Sequence, residues 1–196
     1  MPRRKLQFLP GHYYHIYNRG AGRQSIFLEE RNYRYLLSLL KEISAECKAS
    51  VIAYCLLPNH YHWLLRQDGD IPVRDVPKRV FGSYTQAFNK TYQRSGVLFE
   101  GPYRAIQVET DEYLRHLCRY IHGNPVRHGI ADAIELWPYS NYLEWIGKRQ
   151  GTLVDRAFIE QYFQSAAIYQ ATAESLLTGR VMLPAGLQQY LDDIER

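Results

Sequence analysis

The sequence lacks the features of membrane-bound and secreted proteins. No stretch approaches the roughly 18 apolar residues that a membrane-spanning helix requires. The amino-terminal MPRRKLQF is basic, but the apolar segment of a secretory signal peptide does not follow it. Cysteine is scarce: the 196-residue chain has three and no CxxC pair, which argues against a disulfide framework or a cysteine zinc site. We therefore expect a cytoplasmic protein that does not enter a membrane.

The composition is that of a globular protein with an uneven charge. Hydrophobic residues make up 46% and charged residues 22%, which is enough for a packed core. The net charge is +4, yet residues 151–196 carry three arginines against six acidic residues, so the positive excess lies in residues 1–150. A basic body suits a polyanionic partner. We place a soft boundary near residue 147 and hypothesise that the helical tail, residues 148–196, is regulatory.

Tyrosine is unusually abundant. The chain has 17 tyrosines, many of them next to basic or amide residues, as in HYYHIYNRG and SYTQAFNKTYQR. Tyrosine and arginine together can stack on unpaired bases while binding phosphates. The alternative is that these tyrosines fill the edges of a small core, and composition alone does not decide between the two.

The order of the predicted elements indicates a fold class. Alternating, β-rich segments cover residues 12–19 and 51–57, and a third follows the Pro58-Asn59 turn. Helical periodicity marks residues 28–47 and 78–93. An extended segment then leads to a third helix, which we expect to end at Asn124 because the residue before a proline is pushed out of helical geometry. The β-α-β-β-α-β order predicts an α+β, ferredoxin-like split βαβ (RRM-like) sheet with helices on one face, plus the C-terminal helical tail.

Two histidines stand at the start of the third predicted strand, in PNHYHWLL. Side chains alternate along a strand, so His60 and His62 project from one face and Tyr61 from the other. Two imidazoles in this arrangement can converge on one divalent cation. Taken alone, however, the pattern also fits two partly exposed histidines beside a turn.

The third helix offers further polar groups. Tyr120 and Asn124 are four residues apart, so they lie together at the border of the apolar stripe that packs on the sheet. A hydroxyl and an amide are thus presented beside the sheet, where His60 and His62 are expected to point. The alternative for Tyr120 is an aromatic residue at the rim of the core.

Several ordered motifs over residues 9–146 resemble the single-tyrosine transposases of the HUH (His-hydrophobic-His) nuclease class, in the branch associated with repetitive extragenic palindromes (REP-associated tyrosine transposases). The motifs are NRGAGRQSIF, AYCLLPNHYHWLL, RSGVLFEGPYRA, YLRHLCRYIHGNPVRHGI and WPYSNY. The resemblance implies that residues 1–147 form an HUH nuclease domain. Such enzymes nick and rejoin single-stranded DNA near hairpins through a covalent 5′-phosphotyrosine.

The resemblance also implies roles for particular residues. His60 and His62 would bind a divalent metal, magnesium or manganese, and Tyr120 would be the nucleophile. Asn124 falls where related enzymes place an amide as third ligand, although many have glutamine there. The partner would be single-stranded or hairpin DNA, bound by a monomer or a homodimer. The candidate contacts to the DNA backbone are Arg3, Arg4, Lys5, Arg19, Arg23, Arg104 and Arg127.

Two other functions compete with this one. The same fold serves non-catalytic modules that bind single-stranded nucleic acid, but an RNP-type aromatic signature is not recognisable in the sequence. A zinc hydrolase of small molecules would need a third histidine or carboxylate at zinc-site spacing, which we do not find beside His60 and His62.

Overall fold

A computed structural model describes residues 6–177, and a four-stranded antiparallel sheet lies at its centre. The strands are β1 (Tyr13–Arg19), β2 (Ala49–Leu57), β3 (His60–Gln67) and β4 (Arg104–Val108). Their order across the sheet is β2-β3-β1-β4, and every neighbouring pair is antiparallel. This is the strand arrangement of the split βαβ plan, so the predicted α+β fold is confirmed.

Helices cover both faces of the sheet. The longer ones are α1 (Glu30–Glu46), α2 (Asp75–Thr91) and α3 (Asp111–Arg127), followed by the shorter α4 (Tyr142–Trp145), α5 (Arg156–Phe163) and α6 (Ala166–Leu177). Helices α1 and α2, which belong to the split βαβ unit, share one face as predicted, whereas α3 to α6 pack on the opposite face. None of the helices within residues 6–177 combines the length and the apolar content needed to cross a membrane.

Alternation along the strands creates two cores, one on each side of the sheet. On β3, Tyr61 and Trp63 face α1 and α2, whereas Leu64 faces α3. The second core joins Leu64 to Leu117 and Ile121 of α3. Since His62 lies on the same side of β3 as Leu64, the strand directs its histidines towards α3.

Helix α3 does not end at Asn124, and this prediction is wrong. The helix runs on to Arg127 with Pro125 inside it. A proline has no N–H to donate to the carbonyl four residues earlier, here that of Ile121. The side chain of Asn124 compensates, because its Nδ2 donates to the Tyr120 carbonyl at 2.9 Å and reaches the Ile121 carbonyl at 3.5 Å. The Asn124 amide therefore lies within the last turns of α3 and not at the end of the helix.

The segment between α3 and α5 covers the outer edge of β2. Leu56 N–H donates to the Tyr139 carbonyl at 2.9 Å, and Trp137 Nε1 donates to the Leu56 carbonyl at 3.0 Å. Within this segment, helix α4 spans only the four residues Tyr142–Trp145. Edge coverage of this kind satisfies strand groups that would otherwise be exposed.

Helices α5 and α6 contribute to the second core. Phe158 of α5 and Tyr169 of α6 are buried there, and Arg119 Nε of α3 donates to Thr172 Oγ1 at 3.2 Å. The boundary near residue 147 and the regulatory role of the segment after it stay predictions. Residues 178–196, the end of the predicted tail, lie outside the described part of the chain.

Candidate active site

The two histidines of β3 form the centre of the candidate site. The ring centroids of His60 and His62 are 5.3 Å apart, and the ring planes are nearly perpendicular at 89°. His62 is only 1% exposed, and its Nε2 is buried without a hydrogen-bond partner. A buried nitrogen in this position costs free energy unless a ligand occupies it, so its presence is an argument for a bound group.

Each of these histidines has a partner at its other ring nitrogen. His60 Nδ1 lies 2.7 Å from Asn59 Oδ1, and His62 Nδ1 lies 3.1 Å from Nε2 of His15 on β1. On its other side, the ring of His60 contacts the ring of His128 at a centroid distance of 4.8 Å. The pair is therefore enclosed by groups from β1, the β2–β3 turn and the end of α3.

Burial keeps the histidines neutral. It lowers the pKa of His60 to about 3, with smaller contributions from the nearby His128 and Arg19. Burial also lowers the pKa of His62 well below its usual range, and the neighbouring His15, His60 and His128 act in the same direction. A neutral imidazole keeps one ring nitrogen with a free lone pair, which is the form that binds a metal.

Helix α3 brings a phenol to the histidines and carries an amide one turn further along. The ring of Tyr120 meets that of His62 edge to face, with centroids 5.6 Å apart. The guanidinium of Arg127 lies 5.2 Å from the centre of the Tyr120 ring. One turn beyond Tyr120, Asn124 is fully buried, and its Oδ1 has no hydrogen-bond partner because its Nδ2 is turned towards the main chain. Its free acceptor oxygen thus remains available.

A cleft of about 480 Å³ opens beside the histidines. His60, His62 and His128 line it together with Arg19, Arg23 and Arg104. Glu100 contributes a carboxylate, which accepts from Arg19 Nη2 at 3.2 Å. Arginine in excess over carboxylate gives the cleft a positive potential that suits phosphate groups. Tyr120 is not among the lining residues and is 0% exposed.

The structure brings most of the predicted site residues together. His60 and His62 share a face, Tyr120 abuts His62, and three of the predicted DNA contacts line the cleft. Arg127 lies over the nucleophile candidate instead, while Arg3, Arg4 and Lys5 lie outside the described residues. Within residues 6–177, no three histidine, cysteine or carboxylate side chains are arranged to hold one metal ion.

Sequence reasoning missed three neighbours of the site, namely His15, Asn59 and His128. Asn59 directly precedes the histidine pair, and its position was a usable signal. His15 is recognisable only from the register of the sheet, in which Tyr17 pairs with His62 and places His15 diagonally across from it. His128 comes close because α3 continues past Pro125, which the sequence analysis did not anticipate.

Fold and site together define a ferredoxin-like α+β protein with a histidine-containing, positively charged cleft. The family model described as transposase IS200-like matches residues 9–124, more than half of the chain. The chain belongs to this family. Its membership makes it a transposase, a DNA-cleaving class of enzyme, and confirms the family that the sequence motifs resemble.

Individual relatives agree with this assignment. A Haemophilus influenzae protein named as a REP-associated tyrosine transposase is 26% identical over 141 residues, covering 60% of this chain and 77% of that protein. The solved structure of a REP-associated tyrosine transposase bound to a REP hairpin has a similar fold, with a TM-score of 0.65 and 18% identity over 79% of this chain and 94% of that one. A transposase structure from Deinococcus radiodurans is less similar: the match covers 63% of this chain and 95% of that one at 17% identity, with a TM-score of 0.42.

Proposed function

We propose that this protein nicks and rejoins single-stranded DNA beside a hairpin, with Tyr120 as the nucleophile. One observation carries the proposal: the ring of Tyr120 abuts that of His62, whose buried Nε2 has no hydrogen-bond partner. A phenol side chain is thus held beside the imidazole that carries an open ligand atom, which supports metal-assisted attack on a phosphodiester. Hairpin DNA is the proposed substrate because the solved relative with the similar fold is bound to a REP hairpin.

The residues present fit a divalent metal ion. His60 and His62 supply neutral imidazoles, and the Oδ1 of Asn124 is a buried acceptor without a partner. We propose these three as the ligands. Nitrogen donors suit manganese, while the amide oxygen suits both manganese and magnesium. When bound, the ion supplies Lewis-acid polarisation of the scissile phosphate and offsets the charge that develops in the transition state.

The covalent step is an exchange of one ester bond for another. The phenol oxygen of Tyr120 forms a bond to phosphorus while the bond from phosphorus to the 3′-oxygen breaks. The phenol loses its proton and the departing 3′-oxygen gains one, which leaves a 5′-phosphotyrosine and a free 3′-hydroxyl. Because a phenol ordinarily titrates near a pKa of about 10, the attacking phenolate needs stabilisation. The Arg127 cation over the ring provides it electrostatically.

Access to Tyr120 sets a condition on the mechanism. Its side chain is 0% exposed, so the DNA strand must displace the groups that cover the phenol before attack. The contact between Tyr120 and His62 is formed within one chain, which supports a nucleophile that serves the histidines of its own subunit.

A trapping experiment tests the proposal. The full chain is incubated with Mn²⁺ and a hairpin oligonucleotide that carries single-stranded flanks and a label at its 3′ end. We expect a covalent protein–DNA adduct in denaturing gels, lost in Tyr120→Phe and in His62→Ala. Tyr113→Phe, on the same helix, is the matched control and should retain the adduct. A mixture of the Tyr120→Phe and His62→Ala proteins should not restore the adduct if the nucleophile acts within its own subunit. An adduct that persists in Tyr120→Phe would overturn the assignment.

A non-catalytic binder of single-stranded nucleic acid is the second candidate. The complete burial of Tyr120 is the observation that favours it. The same oligonucleotide distinguishes the two functions. Retarded DNA that never becomes covalently attached, with either magnesium or manganese, supports the binder and refutes the nuclease.

A further inference from the structure

We propose that His15 and Asn59 are positioning residues that hold both histidines of β3 in one tautomer, with the proton on Nδ1 and the lone pair on Nε2. The consequence for metal binding rests on the function proposed above. The tautomers themselves belong to the metal-free chain and are measurable without any reaction. Neither residue touches the substrate in this proposal, since each acts through the imidazole beside it.

Asn59 determines the tautomer of His60. The Asn59 Nδ2 donates to the Arg23 carbonyl at 3.3 Å, which orients the amide so that its Oδ1 faces His60 Nδ1 at 2.7 Å. An amide oxygen only accepts hydrogen bonds. The proton of His60 therefore lies on Nδ1, and Nε2 keeps its lone pair.

His15 determines the tautomer of His62. Between His15 Nε2 and His62 Nδ1, 3.1 Å apart, one nitrogen must donate and the other accept. A proton on His62 Nε2 would leave a buried N–H with no acceptor, because that atom has no partner. The favoured arrangement has His62 Nδ1–H donating to His15 Nε2. His62 Nε2 then carries a lone pair, whose cost is removed when a cation occupies the site.

Packing keeps His15 in the orientation that this hydrogen bond needs. His15 is 0% exposed. Its ring packs against the roughly parallel rings of Tyr17, 5.0 Å away at 30°, and His62, 5.3 Å away at 20°, and these two rings are 5.9 Å from each other. Histidines that bind a metal generally donate their second ring N–H to a partner of this kind, and loss of the partner costs about 10- to 100-fold in metal affinity.

The test uses the metal-free, ¹⁵N-labelled full chain. Long-range ¹H–¹⁵N spectra report which ring nitrogen carries the proton, and calorimetric titration with Mn²⁺ alone reports affinity. We expect Nδ1–H in both His60 and His62 of the unchanged chain. In His15→Phe, which keeps an aromatic ring but no acceptor, His62 should lose this tautomer, and Mn²⁺ should bind about 10- to 100-fold more weakly.

Two variants separate positioning from packing. His15→Gln restores an acceptor oxygen and should recover the His62 tautomer and most of the Mn²⁺ affinity. His12→Gln is the matched control and should change neither the tautomer nor the affinity. Among the hydrogen bonds described, the His12 ring makes only one, to the nearby Pro10 carbonyl at 3.0 Å. Asn59→Ala, on the surface turn, should alter His60 alone.

The wild-type spectrum decides the proposal even if a variant fails to fold. A proton on Nε2 of His62 or His60 in the unchanged chain would overturn the inference for that residue. So would a folded His15→Phe with unchanged tautomers and Mn²⁺ affinity. The expected tautomers without any covalent adduct would refute the proposed function and leave this inference standing, whereas adducts with the opposite tautomers would do the reverse.

Discussion

Replacing Asn141 with alanine should destabilise the fold strongly, because this one side chain joins β2, α3 and the C-terminal segment. Its Oδ1 accepts from Tyr54 N–H at 2.9 Å and lies 2.8 Å from His122 Nε2. Its Nδ2 donates to the carbonyls of Ile52 at 2.9 Å and Leu153 at 3.1 Å. Asn141 is 0% exposed, so water does not replace these bonds without rearrangement.

The magnitude follows from the groups that lose their partner. The Ile52 carbonyl keeps a second donor, Trp145 Nε1 at 3.1 Å, and is left out of the count. The Leu153 carbonyl is only partly buried and is also left out. The Tyr54 N–H and His122 Nε2 remain, and each buried polar group without a partner costs about 1–3 kcal/mol. Since such effects are not additive, we take the lower end and expect a loss of about 2 kcal/mol or more. That is a large share of a typical stability of about 5–15 kcal/mol.

Urea unfolding of the full chain, followed by circular dichroism, measures this loss. Gln170→Ala is the matched control, because its amide donates to Glu174 Oε1 at 3.1 Å on the exposed face of α6. The control should change the free energy of unfolding by less than about 0.5 kcal/mol. If Asn141→Ala lowered the free energy of unfolding no more than Gln170→Ala, the reasoning that this amide joins β2, α3 and the C-terminal segment would be wrong.

Two further predictions concern the packing of α3 and the charge of the cleft. Gly82→Ala on α2 should raise the free energy of unfolding by about 0.5–1 kcal/mol, since an added Cβ meets nothing within 4 Å, whereas Gly123→Ala should gain less because its Cβ would lie 3.1 Å from Leu177 Cδ2. Equal gains in urea unfolding would contradict the close approach of α3 and α6. Glu100→Gln frees Arg19 for phosphate, so single-stranded DNA should bind more tightly, and the plot of log K against log salt should steepen by about 0.7. Anisotropy titrations with Glu160→Gln as the control for one lost charge check this, and weaker binding by Glu100→Gln would show that the carboxylate itself contacts the DNA.

Local patterns were sufficient for the elements that carry the proposed chemistry. Alternation on β3 correctly separated His60 and His62 from Tyr61, and helical spacing correctly placed Tyr120 and Asn124 on one side of α3. These predictions succeed because each depends on a backbone period of a few residues. The predicted end of α3 was wrong for the same reason, since the local rule for Pro125 could not include the amide of Asn124, which donates to the Tyr120 carbonyl and reaches the Ile121 carbonyl.

By itself, the sequence determined which side chains share a strand face or a helix face, because that follows from the backbone period. Only the tertiary structure decided that α3 lies over the histidines, that Tyr120 is covered, and that His15 reaches His62 from 47 residues away. These arrangements depend on strand order, register and the packing of two cores. The free energies that select them come from contacts between distant parts of the chain, which no short window of sequence contains.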